Sequence, residues 1–155
     1  SAQVIDFIDK NCLTLLDFGS GAGFPGLVLA LIARDRKIPL KIKLIDKSPK
    51  KIKFLKETIK ELNLNVQAVN EDIFYKTDKY EEDVFVARAF KPLSITLELI
   101  HNKCANWKKI FIFLGKTGKY ELLQASKIWD IGYKQRMSVT SDDSIIIEIN
   151  KIKKR

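Results

Sequence analysis

The chain has 155 residues, 46% hydrophobic and 30% charged, which suits one globular domain, residues 1–155, with its own core. No apolar run is long enough to span a bilayer; Cys12 and Cys104 have neither CxxC nor Cys/His spacing, and His101 is the only histidine. This disfavours a zinc site and a Cys-His or Ser-His-Asp engine. The net charge of +9 favours a polyanionic partner such as nucleic acid or a membrane surface, against the plainer reading of lysine enrichment in a Lys/Ile/Asn-rich sequence.

Residues 2–9 predict a short helix through Val4, Ile5, Phe7 and Ile8, and residues 1–18 lack the basic start and cleavage site of a signal peptide. With two cysteines in no CxxC or Cys/His spacing, the expected compartment is the reducing cytoplasm. Residues 13–18, apolar almost throughout, predict a buried first strand, and residues 24–34 a helix that tolerates Pro25 in its first turn. Residues 40–46 predict a second strand ending in Asp46. Ser48 is then the expected cap of a helix with Pro49 at its first position. Ile52, Leu55, Ile59 and Leu62 fall on the inward face of that helix. Lys50, Lys51, Lys53, Lys56 and Lys60 take the rest, either as a solvated back or as a phosphate-facing comb.

Residues 65–69 predict a third strand that runs out at Asn70-Glu71-Asp72-Ile73, and residues 83–90 a fourth with its exit. A helix over 92–103 with Leu93, Leu97 and Ile100 inward leads to a fifth strand over 107–114 and a further helix over 119–129. Strands over 133–140 and 144–150 flank the turn Ser141-Asp142-Asp143, and 151–155 reads as a basic tail. Five βα units followed by a hairpin predict an α/β fold, a mostly parallel seven-stranded sheet with one antiparallel strand.

Between the first strand and its helix stand Gly19, Gly21, Gly23 and Gly26, four glycines in eight residues. Glycine is that dense where backbone turns with positive φ or comes close to a bound molecule. Gly21-x-Gly23-x-x-Gly26 formally matches the dinucleotide fingerprint, with Asp46 about 20 residues on as the ribose acid. The strand, however, ends at Asp17, and Gly19-Ser20 intervenes, which puts a second glycine turn before the helix. That phasing suits a ligand with an amino-acid end near Asp17 and a ribose at Asp46.

Leu16-Asp17-Phe18-Gly19-Ser20-Gly21-Ala22-Gly23-Phe24-Pro25-Gly26 resembles motif I of class I S-adenosylmethionine methyltransferases. Its Phe-Pro-Gly exit resembles that of the guanine-N7 methyltransferases of small-subunit (16S) ribosomal RNA, the RsmG or glucose-inhibited division protein B family. Leu44-Ile45-Asp46-Lys47-Ser48-x-Lys50-Lys51-x-x-Phe54-Leu55 and Ala87-Arg88-Ala89-Phe90-x-Pro92-Leu93 resemble the family's strand-two and strand-four signatures. The resemblance spans nearly the whole chain and departs from the family in two places. Little is present of the helical segment that the family carries before strand one, and the usual Leu-Lys-Gly after strand five stands here as Leu114-Gly115-Lys116.

The resemblance implies a Rossmann-like fold with helices on both faces and a C-terminal antiparallel hairpin, and S-adenosylmethionine as cofactor. It further implies a monomer acting on 16S ribosomal RNA or the assembling small subunit, away from any membrane. By motif position, Asp17, Gly19, Gly21, Gly23 and Phe24 would surround the methionine end of the cofactor. Asp46 would accept the ribose hydroxyls, and Asp72 with the Ile73 backbone would meet adenine, unless Asp72 is only a turn cap. Arg88, the expected catalytic residue, would grip the cofactor carboxylate, an RNA phosphate or a guanine edge; its plainer role is an ion pair with Asp17 or Asp83. Lys50, Lys51 and Lys116 are the candidate RNA contacts.

The residues test the chemistry independently. Amino-group methylases carry an Asn/Asp-Pro-Pro-aromatic motif after strand four, and C5-pyrimidine methylases a cysteine nucleophile; this chain has neither. Guanine N7 offers a lone pair and no proton, so its methylation needs no base. Two rivals stay open on residues alone: a nicotinamide (NAD(P)) oxidoreductase, and a basic RNA-binding module with a vestigial cofactor site.

Overall fold

In the computed structural model, residues 2–19, 25–88, 92–137 and 145–155 are described. A 3-10 helix over Ala2–Phe7 precedes β1 (Thr14–Phe18), α1 (Gly26–Asp35), β2 (Lys41–Asp46), α2 (Pro49–Glu61) and β3 (Val66–Asn70). A 3-10 turn over Ile73–Tyr75 leads to β4 (Val84–Arg88), α3 (Leu93–Lys103), β5 (Lys109–Leu114), α4 (Gly118–Ala125), β6 (Trp129–Met137) and β7 (Ile145–Lys154).

The seven strands form one sheet in the order β3-β2-β1-β4-β5-β7-β6. β1 to β5 are mutually parallel, and β7 enters antiparallel between β5 and β6. The expected sheet, with its single antiparallel strand, is the one observed. Because successive strand residues point to opposite faces, each buried strand feeds two cores. Leu16, Phe18 and Phe85 pack with Leu93, Leu97 and Ile100 of α3 and Leu122 of α4. Leu15, Leu44 and Phe111 pack on the other face with Leu29 and Ala33 of α1, Ile52 and Leu55 of α2, and Val4 of the first 3-10 helix. Burying a side chain such as Phe18 or Leu55 stabilises the fold by about 1.5–3 kcal/mol.

α2 starts where the sequence places it: Ser48 is its cap, its hydroxyl accepting from Lys51 N at 3.3 Å, with Pro49 at the first position. Leu62, expected on the inward face, is instead the residue that ends α2 and is exposed. The chain there turns through Asn63, which has φ of 52°.

Two expectations near the C-terminus are corrected. The helix over 119–129 stops at Ala125, because Trp129 pairs with Lys154 as the first rung of β6 and buries its indole in the core. The residues read as a basic tail, 151–155, are the continuation of β7 to Lys154. Their lysines alternate with Ile152, which pairs with Ile131, so a period of two was hidden under a charged composition. The turn at Ser141-Asp142-Asp143 lies outside the described residues.

The sheet order reverses between β1 and β4, since β1 is followed in the chain by strands on one side and then by β4 on the other. In open α/β sheets that switch point opens a crevice at the carboxyl ends of the strands, where ligands bind.

Candidate active site

Asp17 is the penultimate residue of β1, and only 1% of it is exposed. Its Oδ2 accepts from Gly26 N, the first residue of α1, at 2.7 Å. Oδ1 has no hydrogen-bond partner among the described residues. Burial pushes the carboxyl up to about 8; the Gly26 amide and the charge of Arg88 oppose that rise, and Asp46 adds to it. A buried acid with one empty acceptor is poised for a donor that arrives from outside the protein.

Gly19 follows β1 with φ of +68°, and its amide donates to Ile45 O of β2 at 2.9 Å. The chain thus leaves β1 in a left-handed turn that a Cβ would strain. At Gly26 the requirement is spatial: a Cβ there would lie 2.4 Å from Leu44 Cδ2, 2.6 Å from Asp17 Oδ2 and 2.8 Å from Asp17 Cβ. Glycine lets the start of α1 press directly on β1 and β2.

Asp46 closes β2 and is 7% exposed. Its Oδ1 accepts from Ser48 N at 2.9 Å, while its carbonyl accepts from Asn70 Nδ2 and Glu71 N, both at 3.0 Å. These bonds lock the carboxyl ends of β2 and β3 together. Beside them opens a cleft with about 610 Å³ of empty space, part of it open to solvent. Gly19, Asp46, Asp72 and Ile73 all line it, so four residues expected at one ligand do share one wall.

Asp72 also fills its plainer role, since its Oδ1 accepts from Phe74 N at 3.0 Å and caps the 3-10 turn. Behind that turn, the buried Tyr80 donates its hydroxyl to Glu71 Oε2, and Lys76 lies 3.8 Å from Glu71 Oε1. Lys103 of α3 donates to Lys76 O at 2.7 Å, which ties the cleft's outer wall to the second helical layer.

Arg88 is the exposed last residue of β4, adjacent to β1, with its guanidinium 5.8 Å from the centre of the Phe113 ring. Asp83 is occupied elsewhere: it accepts from Leu13 N at 2.7 Å and faces Lys108 at 3.8 Å. Arg88 makes no ion pair with a described carboxylate, although its charge reaches Asp17. Lys50 is exposed on the first turn of α2, Lys51 lines the cleft, and Lys116 sits exposed between β5 and α4, away from the cleft wall. Gly21, Gly23 and Phe24 lie outside the described residues.

Sequence reasoning missed Lys47, Glu71 and Phe74 as cleft residues. Lys47 and Glu71 adjoin Asp46 and Asp72 in the chain, so adjacency to a strand-end acid was the available signal. Neither cysteine can act as a nucleophile: both are buried, and burial raises the Cys12 thiol and pushes Cys104 up to about 12. No group of three metal-ligating side chains exists among the described residues, and no described helix is long and apolar enough to cross a membrane.

A Rossmann-like sheet with β7 inserted antiparallel, and a glycine exit from β1 beside an acid-tipped β2 on one cleft, define a class I methyltransferase. Solved structures share this fold: a ribosomal protein L11 methylase from Lactobacillus delbrueckii subsp. bulgaricus superposes with a TM-score of 0.70 at 16% identity, over 95% of this chain and 74% of that one. TrmK from M. capricolum, solved with S-adenosyl-homocysteine, gives 0.66 at 18% identity over 96% and 66%. The sequence matches the family model for rRNA small subunit methyltransferase G over residues 1–146. Ribosomal RNA small subunit methyltransferase G of Pelagibacter ubique is 37% identical over 100% of this chain and 72% of its own length, and that of Rickettsia felis 31% over 99% and 76%. The chain belongs to the rRNA small subunit methyltransferase G family. It is an S-adenosylmethionine-dependent methyltransferase, and the nicotinamide and vestigial-site readings are not favoured.

The described residues fit that cofactor. The buried Asp17 Oδ1 lacks a donor, which the ammonium of a methionine moiety has to offer, and nothing lies within 4 Å of where a Gly19 Cβ would be.

Proposed function

We propose that the chain methylates N7 of a guanine in small-subunit (16S) ribosomal RNA, free or in the assembling subunit, as a monomeric enzyme of the cytoplasm. The observation that carries this reading is the meeting of Gly19, Asp46, Asp72 and Ile73 on one cleft, next to a buried Asp17 with an unpartnered oxygen. The names of its relatives support the substrate.

When bound, S-adenosylmethionine supplies a methyl group on a sulfonium that is lost by in-line displacement, so the protein's task is to position donor and acceptor. In this reading Asp17 holds the ammonium, Asp46 accepts the ribose hydroxyls, and Asp72 with the Ile73 amide meets adenine. Gly21, Gly23 and Phe24 complete the methionine side. Arg88, always protonated, grips a carboxylate, a phosphate or the guanine edge and cannot serve as a base. None is needed, because N7 carries no proton to remove.

Mass mapping of ribosomal RNA from cells lacking the gene, then treated with purified protein and S-adenosylmethionine, tests the assignment. One guanine should lose its methyl group and regain it in vitro; a methyl restored to another atom, or none lost, overturns the reading. Calorimetry should show binding of S-adenosylmethionine and none of NAD.

Two substitutions probe the cleft. Asp46→Ala should weaken donor binding by about 1–3 kcal/mol, because ribose hydroxyls are left without an acceptor; unchanged affinity removes Asp46 from the ribose role. Replacing Lys50 and Lys51 together by alanine should weaken RNA binding and flatten its salt dependence. Lys51→Ala alone should also raise the donor's Kd, because Lys51 lines the cleft, while Lys50→Ala should leave it unchanged. Equal effects of the two on the donor would dismiss that distinction.

A further inference from the structure

α2 carries five lysines against two glutamates, Glu57 and Glu61. None of those lysines makes an ion pair with a described residue. Lysines elsewhere do: Lys76 with Glu71, Lys108 with Asp83, Lys109 with Glu148 and Lys151 with Asp130. Even Lys53 and Glu57, four apart on the helix and free to pair, stay separate. Three of the five, Lys53, Lys56 and Lys60, recur at helical spacing along one side of α2.

That side borders a groove with about 790 Å³ of open space, floored by Ile52, lined by Lys53, Lys56 and Lys60 with Glu57 among them, and ending at Asn70, the last residue of the edge strand β3. Asn70 is the residue whose side chain donates to Asp46 O, and the next residue, Glu71, lines the donor cleft. The lysine row therefore begins at the sheet's open edge and leads to the corner of the active site. At 1.5 Å per residue, Lys53 to Lys60 covers about 10 Å, over which one nucleic-acid strand presents about three phosphates.

We propose that this groove is the docking track for the backbone of the RNA strand that presents the methyl acceptor. The inference rests on the RNA methyltransferase reading and adds to it a binding surface separate from Lys50 and Lys51. The groove binds phosphates and reads no base sequence, since lysine on a solvated helix acts as a point charge. Its contribution falls as salt rises.

The test compares the parent with Lys53→Gln/Lys56→Gln/Lys60→Gln and with a charge-matched control, Lys134→Gln/Lys153→Gln/Lys154→Gln, on β6 and β7 at the opposite end of the sheet. A labelled single-stranded RNA of about 20 nucleotides is titrated by fluorescence anisotropy across a salt series. The groove variant should lose about two units of salt slope, the value for three phosphate contacts on a single strand, while the control keeps the parent's slope. Methyl transfer to undermethylated small-subunit RNA should show KM raised about tenfold, with kcat, donor affinity and melting temperature unchanged. A parental slope in the groove variant, or an equal loss in the control, overturns the proposal. A parent that binds RNA through the groove yet methylates no ribosomal RNA would leave the docking track standing and bring down the functional reading instead.

Discussion

Gly26→Ala should lower the stability of this protein by about 3 kcal/mol, and its melting temperature by about 6–12 °C. The added Cβ would meet Leu44 Cδ2 at 2.4 Å, Asp17 Oδ2 at 2.6 Å and Asp17 Cβ at 2.8 Å. Leu44 is fully buried, so its side chain cannot swing into solvent, and Asp17 Cβ is held by a central strand. The remaining way to relieve the clash is to lift the start of α1, which breaks the 2.7 Å bond from Gly26 N to Asp17. Donor binding should weaken with it, as measured by calorimetry below the melting temperature. Gly19→Ala supplies the contrast. Its φ of +68° strains an L-residue, but nothing stands within 4 Å of the new methyl group. The cost should therefore be about 1 kcal/mol, from the backbone alone. Differential scanning of the two variants checks this order; a Gly26→Ala melt within 2 °C of the parent, or no lower than that of Gly19→Ala, refutes the packing account.

Asp17→Asn should stabilise the protein without ligand as pH rises, and at the same time weaken its hold on the donor. The unfolded carboxyl loses its proton near pH 3.9, whereas burial holds the folded one up to about 8. Between those values the unfolded state has released a proton that the native state keeps, so stability falls as pH rises, by about 1.4 kcal/mol per unit from this group. The cost is absent below pH 4 and complete above about 8. Asparagine has no such term, and its oxygen can still accept from Gly26 N. The melting temperature of Asp17→Asn minus that of the parent should be near zero at pH 4 and should grow to roughly 10–20 °C at pH 8. A difference that stays flat across this range shows that Asp17 is ionised in the folded protein throughout. Saturating S-adenosylmethionine should reverse the order at pH 7.5, because the ammonium favours the charged carboxylate.

These two positions differ in how legible they were. Asp17 and Gly19 stand out in the sequence because the pattern is local: an apolar run, an acid, then glycine. The Gly26 requirement comes from Leu44, a residue on another strand, and no spacing rule reports that contact. Likewise Ser48-Pro49 announces the start of α2 from two adjacent residues, while the end of α4 depends on Trp129 finding Lys154 across a hairpin. The strand-end acids were readable for the same local reason. That Lys51 and Phe74 join Asp46 on one cleft was not, since β2 and the turn after β3 are brought together only by the sheet.

The sequence by itself therefore determined the class of fold, the order of its elements, the acid tips of β1 and β2 and the glycine exit between them. Each of these rests on periodicity or on neighbours in the chain. Only the tertiary structure decided that Asp17 is a buried acid with a spare oxygen, that Asp72 caps a turn while it lines the cleft, and that residues 151–154 finish a strand. It also decided that the α2 lysines share an unpaired row leading to the site. Burial, register and charge pairing are relations between segments distant in the chain, and they exist only once the sheet has closed.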